Sequence, residues 1–314
     1  MAGSKSDHSK QMNQKLIVIL GATSSGKSDL AVRLAKKFNG EVVSADSRQV
    51  YRGMNIGSGK ITTKEMQGIP HYLIDVISPK KKFSVVQYRR LALKAIKDIF
   101  RKRKTPILCG GTGFYIQSII DGITIPQVKP DWKLRKELDK STAEELFKKL
   151  KKLDKKRAVA IDRHNKRRLI RALEIIMKTK KSVPALKKNP LPYPFLIIGI
   201  KKEKEILKQL IKKRLLKRLQ QGMIQEIEKL RKDGVSWKRL EEFGLEYRYI
   251  AKYLQKKLDY DAMLAQLQKA TEHFAKRQNT WWKKDKRIFW IEKPAEAEKL
   301  TEKFLKQANE KGKI

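Results

Sequence analysis

Leu16-Ile17-Val18-Ile19-Leu20-Gly21-Ala22-Thr23-Ser24-Ser25-Gly26-Lys27-Ser28 is the stretch on which the reading of this chain turns. Its unbroken aliphatic run, emptying into a glycine turn, reads as a strand buried in a parallel sheet. Beyond Lys27, the residues Leu30, Ala31, Val32, Leu34 and Ala35 return apolar side chains at helical spacing. Strand, glycine-bounded turn and helix, in that order, are the context that confirms a P-loop. Gly21 and Gly26 let the backbone curl until successive N–H groups point inward. The helix N-terminus adds partial positive charge, Lys27 adds a full one, and Ser28 offers a hydroxyl to Mg²⁺. Gly21, Ala22, Thr23, Ser24, Ser25, Gly26, Lys27 and Ser28 are therefore expected to hold a di- or triphosphate. A Gly/Ser-rich turn with a solvated lysine is the weaker reading, because every motif position and both flanking elements are present. The motif alone does not name a reaction, since kinases, NTPases and other transferases all grip phosphate this way.

The rest of the chain narrows the choice. Lys and Arg number 75 against 33 Asp and Glu, for a formal net charge of +42 over 314 residues. That is the balance of a polyanion binder, although a general lysine bias spread over every solvent face contributes to it. The single cysteine, Cys109, excludes an internal disulfide framework and a cysteine zinc site, and reads as a core thiol. With four histidines and no paired spacing among them, a histidine metal site has no support. Residues 1–14 are polar, and no run approaches the length of a membrane span. The expectation is a cytoplasmic protein with no membrane partner, disordered over 1–14 and 308–314.

Along the chain, Glu41-Val42-Val43-Ser44 reads as a second strand, ending at Ala45-Asp46-Ser47-Arg48-Gln49. Ligands of parallel α/β sheets gather beyond the carboxyl ends of strands, so Asp46 is placed beside the phosphate turn as a candidate base. The bland alternative is that Asp46 caps a turn. A glycine-punctuated loop over 53–62 could close over a ligand. His71 to Val76 reads as a strand, Val86 to Lys102 as a helix, and Thr105 to Cys109 as a strand ending in Gly110-Gly111-Thr112-Gly113. A P-loop hydrolase usually ends that strand with an aspartate for Mg²⁺. Its absence here argues against simple nucleotide hydrolysis. Residues 125–193 change character, with few strand signals and many cations at helical period; they read as a helical insertion between core segments 15–124 and 194–314. There Arg167 and Arg171 share a helix face, with Arg168 beside them. Further on, Lys276-Arg277-Gln278-Asn279-Thr280-Trp281-Trp282 mixes cations, amides and aromatics in the manner of a nucleotide-stacking surface. At least one of the two tryptophans is expected in the core.

Taken together, Gly21 to Ser28, Ser44 to Gly57, His71 to Asp75 and Gly110-Gly111-Thr112-Gly113-Phe114-Tyr115 closely resemble the tRNA dimethylallyltransferase family, in order and spacing, from about Leu16 to Trp290. The resemblance implies a P-loop NTPase-like α/β fold, a parallel sheet flanked by helices, with a helical insertion domain. It implies transfer of the dimethylallyl group from dimethylallyl diphosphate to N6 of adenosine 37 in tRNAs reading codons that start with U, with diphosphate released and Mg²⁺ as cofactor. Asp46 corresponds to the general base, Thr112 to a positioning hydroxyl, and Lys27 and Arg214 to contacts of the leaving diphosphate. The implied tRNA contacts, on the anticodon stem-loop, are Asp46, Ser47, Arg48, Gln49, Thr112, Arg135, Arg167, Arg168, Arg171, Tyr247, Arg248, Lys276, Arg277, Gln278 and Trp281. A monomer is expected. One departure stands out: Phe243-Gly244-Leu245-Glu246-Tyr247-Arg248 carries Glu246 where the family has glycine, which puts the backbone there in question. Three rivals keep parts of the pattern: a P-loop kinase for a nucleoside or small metabolite, an adenylate isopentenyltransferase acting on free nucleotides, and a non-catalytic RNA binder with a vestigial P-loop.

Overall fold

Side-chain alternation in the first strand explains the layering of the core. The computed structural model describes residues 14–124, 126, 128–184 and 187–307. The expected tails thus lie outside the described residues, Gln14 apart. Contacts divide the chain into two units, one formed by residues up to Asp121 with those from Pro190 onward, the other by Gly122–Asn189. In chain order, the first unit begins with β1 (Leu16–Gly21), α1 (Lys27–Lys37), β2 (Gly40–Ser44), α2 (Thr63–Met66), β3 (His71–Tyr72), α3 (Val85–Arg101), β4 (Thr105–Cys109) and α4 (Gly113–Ile120). The second unit holds β5 (Ile123–Thr124), α5 (Trp132–Leu138), α6 (Ala143–Leu153), α7 (Lys155–Ala160), α8 (Lys166–Thr179) and β6 (Lys187–Lys188). The first unit then resumes with β7 (Phe195–Ile200), α9 (Lys204–Gln220), α10 (Met223–Lys232), α11 (Trp237–Phe243), α12 (Leu245–Leu254), α13 (Tyr260–Trp282), β8 (Ile288–Ile291) and α14 (Pro294–Lys306).

The six-stranded sheet runs β3-β2-β4-β1-β7-β8 with every neighbouring pair parallel. All six residues of β1 are buried. Leu16, Val18 and Leu20 pack with Tyr88, Ala92 and Ile96 of α3 and with Ile116 and Ile119 of α4. Ile17 and Ile19 point the other way, onto Leu30, Ala31 and Leu34 of α1 and Ala297 of α14. Each such side chain gains about 1.5–3 kcal/mol on leaving water, which is why the apolar run was legible as a central strand. A second core joins the segment around Val50, Tyr51 and Met54 to α10, α11, α12 and α13 through Ile227, Leu240, Phe243, Ile250 and Met263.

Two differences from the sequence reading concern backbone conformation. The strand expected over His71 to Val76 stops at Tyr72, because Leu73 (φ 64°) and Asp75 (φ 56°) enter the left-handed region and leave the ladder. In the second unit, a short antiparallel pair sets Ile123 opposite Lys188, so the excursion runs over Gly122–Asn189 where the change of composition had suggested 125–193. Two residues per strand are too few to leave an alternation pattern. Inside that unit, Leu146, Leu150, Leu169, Leu173 and Ile176 form its core. No helix among the described residues is long and apolar enough to cross a membrane.

Candidate active site

The carboxyl ends of β1, β2 and β4 converge on one edge of the sheet, and the site grows from that edge. After β1 the backbone turns through Gly21 (φ 151°), Ser24 (φ 62°) and Gly26 (φ 89°) into α1, whose N-cap is Gly26 itself. A left-handed N-cap of this kind suits glycine, and it presents the unpaired amides of the first helical turn to an anion. Lys27 Nζ folds back to donate to Ala22 O at 2.5 Å. Burial pulls its ammonium down to about 8; Cys109 and Asp46 pull it up, and Arg214 pushes it further down. The Ser25 hydroxyl is buried with no partner among the described residues. Ser28, in the first turn of α1, is exposed. Mg²⁺ takes few protein ligands and completes its shell with phosphate oxygens and water, so a lone serine hydroxyl beside an amide-lined anion turn is a donor set that fits it. Among the described residues no group of three or more His, Cys, Asp or Glu is assembled for a metal.

At the end of β2, Asp46 Oδ1 accepts from the Arg48 amide at 2.7 Å and the Gln49 amide at 3.4 Å. The turn-capping role weighed from sequence is therefore present, on one oxygen. Among the described residues no hydrogen bond engages Oδ2. The Thr112 hydroxyl, at the end of β4, accepts from the Ser47 amide at 3.0 Å, and the Thr112 amide donates to Ala45 O at 3.1 Å. These two bonds lock the β2 and β4 ends together. Arg48 Nε donates to Phe243 O at 2.7 Å, and Gln49 takes a bond from Ser44 Oγ (3.1 Å) while giving one to Gly59 O (3.2 Å). From α9, Arg214 spans the Gly59 carbonyl and the Thr23 hydroxyl, each at 3.4 Å. Burial, then the charge of neighbouring Arg218, lowers its guanidinium to about 10, while Glu246 and Asp46 oppose the fall. Cys109, buried against the Lys27 carbonyl, has its thiol pushed up to about 12 by burial and is inert at neutral pH.

Several residues expected at an RNA surface are built into the fold. Gln278 is buried on α13, accepting from the Thr23 amide and donating to Gly111 O, both at 2.8 Å. It ties the phosphate turn to the end of β4. Tyr247 is 1 % exposed, its hydroxyl giving a 3.1 Å bond to Glu226. Glu226, which sequence reasoning passed over, also gathers the amides of Asn55, Ile56 and Gly57 at 2.9, 2.6 and 3.1 Å, so it holds the 53–62 loop. Arg248 Nε donates to Glu241 O at 3.1 Å. Lys276 and Arg277 are exposed, and Trp281 is 40 % exposed with its indole against Gly113. Trp282 is the core tryptophan.

Within the second unit, Glu174 is fully buried and takes a bidentate pair from Arg135, Nε at 2.8 Å and Nη2 at 2.7 Å, plus an ion pair from Arg171. Arg171 also donates to Val128 O at 3.0 Å. Arg135 and Arg171 thus have structural partners, whereas Arg167 and Arg168 are exposed on α8. Glu174 was missed because a lone glutamate among cations reads as a surface residue.

The fold and this edge define a P-loop transferase-type α/β protein, in which an amide-lined anion turn with two cations shares its sheet edge with a carboxylate that follows β2, one strand beyond β4. Comparison with known proteins is more specific. The family model described as IPP transferase matches residues 49–285. The chain is 41 % identical over 286 residues to the tRNA dimethylallyltransferase of Acetivibrio thermocellus, covering 88 % of this chain and 91 % of that one. Among solved structures, the full-length tRNA isopentenylpyrophosphate transferase from Bacillus halodurans aligns with a TM-score of 0.71 at 34 % identity, over 93 % of this chain and 97 % of that one. A eukaryotic dimethylallyltransferase described as acting on tRNA aligns with a TM-score of 0.81 at 26 % identity, over 95 % and 81 %. The chain belongs to the tRNA dimethylallyltransferase (IPP transferase) family.

Proposed function

We propose that the protein transfers the dimethylallyl group of dimethylallyl diphosphate to N6 of adenosine 37 in tRNAs reading codons that start with U, releasing diphosphate. The observation that carries the reading is the meeting of strand ends: Asp46 follows β2 beside Ser47, whose amide is bonded to Thr112 after β4, and its charge acts against the fall that burial imposes on Lys27 and Arg214, so a carboxylate lies within electrostatic reach of the two cations of the phosphate turn. The acceptor chemistry needs that pairing. The lone pair of an exocyclic adenine amine is delocalised into the ring, so N6 attacks well only if a carboxylate takes its proton as the C–N bond forms. The allylic C–O bond breaks, and the charge left on diphosphate is met by the loop amides, Lys27 and Arg214. Mg²⁺, held by Ser28 and the donor's phosphates, would supply further charge neutralisation. Thr112, fixed to the Ser47 amide, orients the acceptor side of the site.

The target base must leave its stack to reach a donor at the strand ends. Exposed Lys276, Arg277 and Trp281 on α13, and exposed Arg167 and Arg168 on α8, have the chemistry to grip phosphates and stack a displaced base. The relatives described as tRNA dimethylallyltransferases support tRNA over a free nucleotide as acceptor. The protein acts as a monomer on the anticodon stem-loop. The test is incubation with Mg²⁺, dimethylallyl diphosphate and unmodified tRNA, followed by nucleoside mass analysis. One adenosine gaining a single C5H8 unit is the expected result. Indifference to the donor, with transfer of a γ-phosphoryl from ATP to a small alcohol, would overturn the reading in favour of a kinase.

A further inference from the structure

The departure at Glu246 has a structural partner. Its φ is negative; the left-handed residues are its predecessors, Gly244 (φ 76°) and Leu245 (φ 41°), so the backbone here accepts a side chain at 246. The carboxylate, 14 % exposed, accepts from Arg218 Nη1 at 3.1 Å, and Arg218 is itself 11 % exposed. Arg218 lies one turn beyond Arg214 on α9, and both guanidinium groups crowd against Gly59: a Cβ there would lie 1.4 Å from Arg218 Nη2 and 2.3 Å from Arg214 Nη2. Arg214 then reaches from that glycine to Thr23 of the phosphate turn. Two buried like charges meeting at one glycine repel unless a counter-charge lies beside them. Burial raises the Glu246 carboxyl, and Arg218 and Arg214 act against that rise, so the three groups are coupled.

We propose that Glu246 is a positioning residue for the diphosphate donor: by neutralising Arg218 against the Gly59 loop, it holds Arg214 extended onto the phosphate turn. Its reach extends to the donor, because Arg214 ends on the Gly59 carbonyl and the Thr23 hydroxyl of the phosphate turn, while Arg218 ends on Glu246 beside Gly59. The inference rests on the prenyl-transfer reading.

Steady-state kinetics with donor and tRNA varied separately test it, on Glu246→Gln, Glu246→Asp and the double variant Glu246→Gln/Arg218→Leu. With Glu246→Gln, the freed Arg218 charge displaces Arg214, and KM for dimethylallyl diphosphate rises about tenfold while KM for tRNA stays within about twofold. Glu246→Asp keeps the charge and returns donor KM to within about threefold of the parent. Removing Arg218 as well takes away the repulsion, so the double variant binds donor better than Glu246→Gln alone, and the recovery appears in donor KM with tRNA KM unmoved, where a merely structural brace would move both. An unmoved donor KM in Glu246→Gln, a Glu246→Asp variant as impaired as Glu246→Gln, or a double variant worse than the single would each overturn the proposal. Should Glu246→Gln fail to fold, the Glu246→Asp arm and Arg218→Leu decide, the latter expected to raise donor KM by leaving Glu246 unpaired near the phosphate turn. The parent protein in the same assay separates the two levels: no transfer by it sinks the prenyl-transfer reading, whereas normal transfer with unsplit variants sinks only the role of Glu246.

Discussion

Replacing Gln278 by alanine separates two accounts of the Lys276-Arg277-Gln278 segment. If Gln278 gripped RNA, its loss would weaken tRNA binding and spare the donor. In the structure it is buried and bridges the Thr23 amide and the Gly111 carbonyl, both at 2.8 Å. Losing the two bonds costs about 0.5–1.5 kcal/mol each, and the orphaned backbone groups add to that unless water enters. A total of about 2–4 kcal/mol follows, shared between global stability and the shape of the phosphate turn. If half falls on the turn, donor affinity drops about tenfold or somewhat more, since 1.4 kcal/mol is a factor of ten. Calorimetric titration with dimethylallyl diphosphate, beside tRNA binding at fixed salt, reads both quantities on one sample. The expected outcome is a weakened donor with tRNA affinity within about twofold of the parent. A variant with normal donor affinity and weakened tRNA binding would refute the argument and return Gln278 to the RNA surface.

Asp46→Ala should abolish transfer while leaving tRNA binding largely intact; loss of RNA binding with it would reduce Asp46 to the turn cap its Oδ1 forms. Because the Lys27 ammonium is pulled down to about 8, donor affinity should hold below that pH and fall by up to about tenfold per unit above it, as the proton is lost; titrations from pH 6.5 to 9.5 with a flat profile would contradict this. For Glu174, burial acts to raise the carboxyl, but Arg135, the Asp131 amide and Arg171 outweigh it and hold it below the ordinary value. A depressed acid stabilises the fold above its unfolded pKa and loses that contribution as pH falls through the folded one, so the second unit should weaken in acid. Glu174→Gln should cost about 2–3 kcal/mol, less than a fully buried pair because both arginines keep some exposure, and lower the thermal midpoint of that unit by roughly 10 °C; a shift under about 2 °C in a calorimetric scan would count against the buried triad. Substituting Arg167 and Arg168 together should weaken tRNA binding and flatten its salt dependence, and an unchanged salt slope would remove α8 from the RNA contacts.

The phosphate turn was readable in the sequence because local geometry dictates it. A strand buried on both faces must be uniformly apolar, a turn that aims its amides inward needs glycine at Gly21 and Gly26, and the helix that follows shows its own period. Cys109 as a core thiol and one tryptophan in the core were legible for the same reason, since burial follows composition and spacing. What the motifs expected to face RNA do was far less legible. Gln278, Tyr247, Arg135 and Arg171 are polar or amphipathic side chains in segments that look like binding surfaces. Whether such a group meets a ligand or a buried neighbour depends on partners far away in the chain: Thr23 for Gln278, Glu226 for Tyr247, Glu174 for the two arginines.

The sequence by itself therefore determined the central strand and the glycine turn that carries Lys27 and Ser28 into a helix, because those depend on neighbours a few residues apart. Only the tertiary structure decided which cations are spent inside the protein and which are free to meet an anion, and that Glu246 answers Arg218 across 28 residues of chain. The physical reason is that a buried charge is set by its spatial counter-charge, and sequence distance carries no information about that pairing.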